Sequence, residues 1–168
     1  MKAYTYCSFC GSRFPDDLAW PRTCPVCHNT TYRNPLPVAV VLVPVDSGLL
    51  LIRRAVAPHV GKLALPGGYI NIGESWQAAG AREVMEETGL SLDPAAIHAF
   101  RVCSAADGTV LIFGIAQLVD RRALLSFLPT PEASECVVIE AVTELAFPLH
   151  TEVVRTYFQQ TIKQPGYK

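Results

Sequence analysis

The stretch from Gly68 to Leu90 constrains this chain more than any other. It places Gly68, Glu74, Arg82, Glu83, Val84, Glu86, Glu87, Gly89 and Leu90 in the spacing G-x5-E-x7-R-E-U-x-E-E-x-G-U, where U is aliphatic. Ser75 suits an N-cap and Gly89 a left-handed stop, so the spacing predicts a helix between them. At about 100° per residue, Glu83 and Glu87 stack one turn apart with Glu86 beside them. Ala78, Ala81, Val84, Met85 and Thr88 fall on the other side as the expected core-facing stripe, which turns the acids away from the core. Carboxylates at this spacing repel by roughly 0.2–0.5 kcal/mol per pair, and Arg82 is expected to neutralise one of them. An oxygen-only cluster suits a hard divalent ion, Mg²⁺ or Mn²⁺. The alternative for such a run is a solvated acidic face. Just upstream, Leu65-Pro66-Gly67-Gly68 reads as a strand end breaking into a turn, where glycine lets the backbone approach an ion or phosphate.

This segment resembles the signature box of the Nudix hydrolases, with every defined position filled. The resemblance implies an α/β fold, the Nudix α/β/α sandwich with a mixed sheet. It also implies Mg²⁺- or Mn²⁺-dependent hydrolysis of the diphosphate bond in a nucleoside diphosphate linked to another moiety. By position matching, Glu83, Glu86 and Glu87 would be carboxylate ligands, Gly67 would offer its carbonyl to the metal, and Arg82 would orient Glu83. Glu74 belongs to the motif, and a helix-start acid also offsets the positive end of the dipole, so its expected role is structural. Similar enzymes often take a general base from the box or from a late loop. In Thr130-Pro131-Glu132-Ala133-Ser134-Glu135-Cys136, Glu135 is the first candidate for an acid that binds metal or water, and Glu132 the second. Each is equally readable as an exposed loop carboxylate. Arg53, Arg54 and Lys62 are further candidates, for gripping phosphates.

The second signal is a pair of C-x-x-C knuckles, Cys7–Cys10 and Cys24–Cys27. Four thiolates at this spacing fit a closed tetrahedral Zn²⁺ site, which would be structural; iron in the same cage is the alternative. Disulfides need an oxidising compartment, and Met1-Lys2-Ala3-Tyr4 leads into the first knuckle without the apolar run of a signal peptide, so a cytoplasmic location is expected. His28, next to Cys27, is read as a bystander. Cys103 and Cys136 lie in apolar surroundings and are expected to be buried free thiols.

These signals divide the chain into a zinc ribbon over 1–35 and a Nudix domain over 36–168, joined by Asn34-Pro35-Leu36-Pro37. The 168 residues are half apolar, enough for one main core. A module of 35 residues folds only with a staple such as a metal. No apolar run approaches the roughly 20 residues that cross a bilayer. The net charge of −1 divides into four basic and two acidic residues over 1–35 and ten and thirteen over 36–168, with no basic stripe for tight nucleic-acid binding.

Val38 to Val45 predicts a strand buried on both faces, with a turn at Ser47-Gly48 and a hairpin partner over Leu49 to Arg53. Strands are also predicted over Ala96 to Ser104 and Thr109 to Val119, joined at Asp107-Gly108, and over Val137 to Ala141. A last helix is predicted from His150 to Lys163, through Val153, Val154, Tyr157, Phe158 and Ile162.

A zinc ribbon ahead of a Nudix box is similar to the layout of NADH pyrophosphatases and of shorter zinc-ribbon Nudix hydrolases. The first group carries a Ser-Gln-Pro-Trp-Pro-Phe-Pro stretch after the box, and the region here, Phe100 to Gly108, has none. Expected substrates are therefore ADP-ribose, FAD, NAD(H) or a related derivative. Nucleic acid enters only as a capped RNA substrate, and a homodimer is one assembly the resemblance allows. Tyr4, Phe9, Tyr32 and Tyr69 are candidate platforms for a base. The competing expectation is an adaptor that binds nucleic acid or protein through the ribbon and keeps the Nudix fold as a ligand-binding module.

Overall fold

The structure is a computed structural model that describes residues 4–163. Residues 1–3 and 164–168 and the side chains of Ile162 and Lys163 lie outside that description. The chain divides into two compact units, Met1–Pro35 and Leu36–Lys168.

The first unit has little regular structure: β1 (Arg22–Thr23) pairs antiparallel with β2 (Thr30–Thr31). Its core is Cys7, Phe14 and Cys24, with Leu18 and Cys27 against them. So few apolar side chains do not offset the chain entropy of a 35-residue unit, and the cysteines stand at the centre for that reason.

In the second unit, β3 (Leu36–Leu42), β4 (Pro44–Val45) and β5 (Gly48–Arg54) are followed by the short β6 (Leu63–Ala64) and β7 (Gly67–Tyr69). Next come α1 (Trp76–Thr88), β8 (His98–Ser104), β9 (Thr109–Ile115), β10 (Ala133–Ile139) and α2 (Pro148–Lys163). One sheet has the order β7-β3-β9-β8 and is mixed, β3 running parallel to β9 and antiparallel to β7. The other has the order β10-β5-β4, all antiparallel, with β6 on β5.

The period of two along β3 to β5 explains the layering. Val40, Leu42, Leu49 and Leu51 cluster with Val153, Val154 and Phe158 of α2. Val41, Val43, Val45 and Leu50 cluster with Ala81 and Val84 of α1. Strands buried on both faces between two helices make an α/β/α sandwich. Each of these aliphatic side chains contributes roughly 1.5–3 kcal/mol by leaving water.

Several boundaries differ from expectation. The expected strand over Val38 to Val45 breaks at Val43, because Pro44 has no N–H to extend the ladder with β9. The turn falls at Asp46 and Ser47, one residue early, with Asp46 left-handed at φ 52°. Gly67 and Gly68 are not a turn but the start of β7, hydrogen-bonded along β3. β10 starts at Ala133 instead of Val137; Ser134 and Glu135, polar and exposed, hid it, although Ala133 before them is buried and pairs with Arg54 of β5. A 3-10 helix over Arg121–Ser126 had no signal in the pattern. No helix among the described residues is long and apolar enough to cross a membrane.

Candidate functional site

The two C-x-x-C segments fold alike. The N–H of Gly11 donates to the carbonyl of Cys7 at 3.0 Å and that of His28 to the carbonyl of Cys24 at 2.9 Å. Both residues are left-handed, Gly11 at φ 73° and His28 at φ 60°. His28 therefore occupies the turn position that Gly11 fills in the first knuckle, which accounts for a histidine beside Cys27 without making it a ligand. The four Sγ atoms all lie within 4.8 Å of one another. Cys7 to Cys27 and Cys10 to Cys24 are each 3.7 Å apart. A tetrahedral ion with bonds of about 2.3 Å needs S···S edges of about 3.8 Å, whereas a disulfide needs about 2.05 Å. The cluster thus has the dimensions of a four-thiolate metal cage. The Ser12 hydroxyl and backbone N–H lower Cys10 to about 6, toward the thiolate a metal requires.

The second site lies where α1 crosses β7. Ser75 Oγ accepts from the Ala78 N–H and opens the helix, and Gly89, at φ 75°, closes it. Glu83 and Glu87 are buried, at 9% and 3% exposure, while Met85 is 43% exposed. Of the three acids expected to face outward, Glu86 does so, whereas Glu83 and Glu87 are turned in and Met85 out. Glycine is the cause: a Cβ on Gly68 would overlap the Glu83 carboxyl, and the bare backbone of β7 leaves that space for carboxylates. Gly67 donates its N–H to Glu87 Oε2 at 2.9 Å.

Arg82 holds more of the cluster than the single acid expected. Its Nη1 donates to Glu83 Oε1 at 2.7 Å and to Glu86 Oε2 at 3.2 Å. Its Nη2 donates to Glu74 Oε1 at 2.9 Å and to the Tyr69 carbonyl at 3.0 Å, and its Nε to Glu74 Oε2 at 3.2 Å. Glu74 is therefore the two-oxygen partner of the Arg82 fork as well as an acid at the helix start, and it is lowered by that bond.

Charge is unbalanced deeper in. Burial raises Glu83, with Arg82 opposing and Glu86 and Glu132 adding. Burial pushes Glu87 up to about 8; the Gly67 N–H and Arg54 oppose, while Glu83 and Glu132 add to the rise. Two buried acids facing a third, with their arginine shared four ways, lack positive charge, and a divalent cation would supply it. The donor set is all oxygen and suits Mg²⁺ or Mn²⁺. Among the described residues, only the cysteine group brings three or more ligand atoms within 4.8 Å of one another. Glu83 and Glu86 are drawn to Arg82, and Glu87 to Gly67.

Glu135 is not on a loop. It lies in β10, half exposed, with Oε2 accepting from Arg53 Nε at 2.7 Å. Glu132 precedes that strand, and its carbonyl accepts from the Ala55 N–H at 2.8 Å. Its charge adds to the rise of both Glu83 and Glu87, and it is the second of the two late acids that the sequence offered. Arg54 reaches the site as a charge near Glu87 while donating to the carbonyls of Pro58 and Val56. Cys103 and Cys136 are free and half-buried, and burial raises Cys136 to about 11.

The family model for the NUDIX domain matches residues 34–152. The NAD-capped RNA hydrolase NudC of Shigella flexneri is 30% identical over 92 residues, which are 54% of this chain and 35% of that protein. The chain thus matches about a third of the length of such curated relatives. Among solved structures, a NUDIX hydrolase from Nitrosomonas europaea superposes with a TM-score of 0.79 at 26% identity, covering 95% of this chain and 93% of that one. The MutT protein of Methanosarcina mazei Go1 superposes at 0.60 with 24% identity, covering 80% and 99%, and supports the fold alone.

Proposed function

The chain belongs to the Nudix domain family, and from that premise we propose that it hydrolyses the diphosphate bond of a nucleoside diphosphate linked to another moiety, releasing a nucleoside monophosphate. The observation that carries this reading is Glu87, buried against the Gly67 N–H with no arginine bonded to it, while the Arg82 that meets Glu83 is shared with Glu74, Glu86 and the Tyr69 carbonyl. Glu83, Glu86 and Glu87 would hold Mg²⁺ or Mn²⁺, with the Gly67 carbonyl as a further ligand. Such an ion supplies charge neutralisation on the diphosphate and an acidified water. Arg82 orients Glu83 and Glu86, and the Gly67 N–H orients Glu87. Glu132, whose charge adds to the rise of Glu83 and Glu87, would take a proton from the attacking water, in preference to Glu135, whose carboxylate is engaged by Arg53.

The four cysteines are read as one structural Zn²⁺ site, on the strength of their S···S spacing. For the substrate, the name of the Shigella relative supports a nucleotide joined through a diphosphate. Phe100 to Gly108 forms β8 and its hairpin turn and does not carry the proline-rich stretch of NADH pyrophosphatases, so nicotinamide is not singled out. Tyr69, 57% exposed beside Gly68, is the aromatic best placed to stack on a base.

The test is Mg²⁺-dependent AMP release from ADP-ribose, FAD, NADH and NAD-capped RNA. Turnover of at least one is expected. No turnover of any by metal-loaded protein would leave the ligand-binding adaptor as the better reading.

A further inference from the structure

Between β6 and β7 the chain passes through Leu65 and Pro66 to bring Gly67 against Glu87, and each end of this crossing is tied. The carbonyl of Leu63 accepts from the Ala146 N–H at 2.7 Å, and that of Pro66 accepts from the Val41 N–H at 2.9 Å. Leu65 is buried at 2% exposure, and its N–H donates to Nδ1 of His150 at 3.3 Å, across 85 residues. Pro66 has no N–H, so the Leu65 and Gly67 amides are the two donors of the crossing, one held by His150 and the other by Glu87.

His150 is itself fixed. It is 5% exposed in the first turns of α2, with the rings of Phe113 and Phe147 against it at centroid distances of 5.6 and 5.0 Å. Burial and the nearby Arg54 charge keep the imidazole neutral, holding it down to about 3, so Nδ1 remains an acceptor and the ring proton sits on Nε2.

We propose that His150 is a positioning residue for the glutamate site, acting through the backbone of Leu65 and Pro66 on the contact between Gly67 and Glu87. The inference rests on the hydrolase reading above. A leucine here fills much of the same space and leaves the buried Leu65 N–H without a partner, so the crossing must shift to find one. Glu87 moves with it, since Gly67 is its hydrogen-bond donor. Asparagine returns an acceptor near the Nδ1 position, and glutamine places one nearer Nε2.

The experiment uses the full chain carrying His150→Leu or His150→Asn. Mn²⁺ binding is measured by electron paramagnetic resonance, and kcat and KM with ADP-ribose and Mg²⁺. The leucine variant is expected to bind Mn²⁺ about 10-fold more weakly and to lose about 10-fold in kcat with little change in KM, and asparagine to recover most of both. Wild-type behaviour of His150→Leu, or equal damage in both variants, overturns the proposal. If His150→Leu does not fold, His150→Asn is compared with His150→Gln, and a glutamine variant as good as or better than asparagine overturns it. If the wild type hydrolyses no nucleotide offered, the hydrolase reading fails, and Mn²⁺ affinity alone decides the role of His150.

Discussion

The Gly67 N–H and Glu87 Oε2 meet at 2.9 Å across 20 residues, joining the first residue of β7 to the last turn of α1. This contact holds a buried carboxylate in place while leaving it short of compensating charge. In the Glu87→Gln variant the side-chain amide oxygen can still accept from Gly67, so the fold is expected to survive. Turnover should fall roughly 100-fold or more. Without added metal the variant should be at least as stable as the wild type, since burial raises Glu87 to about 8 and folding at neutral pH must take up a proton that glutamine does not need. Steady-state kinetics and thermal melts on one preparation check both.

The two glycines of β7 should fail differently when changed to alanine. A Cβ on Gly68 would overlap the Glu83 carboxyl, a side chain that can move, so Gly68→Ala should keep the fold and lose Mn²⁺ affinity and turnover. A Cβ on Gly67 would meet the backbone of Ala39 and Val40, and its φ of 154° is unfavourable to a side chain, so Gly67→Ala should cost about 1–3 kcal/mol of stability. Urea melts and Mn²⁺ titrations distinguish the two outcomes.

Arg82→Lys keeps the charge and loses the fork. One ammonium cannot serve Glu74, Glu83, Glu86 and the Tyr69 carbonyl together, so kcat is expected to fall about 10–100-fold despite the conserved charge. Activity within about 2-fold of wild type would show that positive charge alone is enough there.

Cys24→Ser removes the central, fully buried thiol of the first unit. Bound zinc should be lost, and amide protection over the Met1–Pro35 unit should drop to that of an unfolded segment. The Leu36–Lys168 unit should keep its own protection. Elemental analysis and hydrogen exchange read the two parts separately, and wild-type protein containing neither zinc nor iron would sink the four-thiolate assignment.

His150 should contribute an acid limb to the stability profile. Its folded-state value, about 3, lies below the ordinary 6.5, so the unfolded chain takes up the proton first. This contribution is fully present above about 6.5 and is lost as pH falls from there toward 3. Denaturant melts of wild type and His150→Asn should diverge in slope across that window, and parallel curves would mean the imidazole is not the group that titrates.

Much of the site was legible because it is local. Ser75, Gly89 and the three- and four-residue spacing of the acids specify a helix and its caps through bonds within a few residues of chain. The knuckles could be read for the same reason, each closing on itself. Met85 and Glu87 show where such reading stops. Periodicity identifies a helix face by its apolar content, but β7 offers α1 two glycines, and a bare backbone accepts carboxylates where a sheet of valines would accept methionine. In sequence Glu135 stands ahead of Glu132 as the late acid. The pairing of β10 with β5 brings Glu135 to Arg53, while the charge of Glu132 bears on Glu83 and Glu87.

Elements whose stabilising contacts lie within one helix, one hairpin or one knuckle were readable from the order of residues, and with them the candidate ligands and their spacing. Packing between elements set which acids are buried, gave Glu83 to Arg82 and gave Glu87 to the Gly67 amide. Those outcomes depend on contacts such as Leu65 to His150 and Gly67 to Glu87, between residues that only the packing of strands and helices brings together.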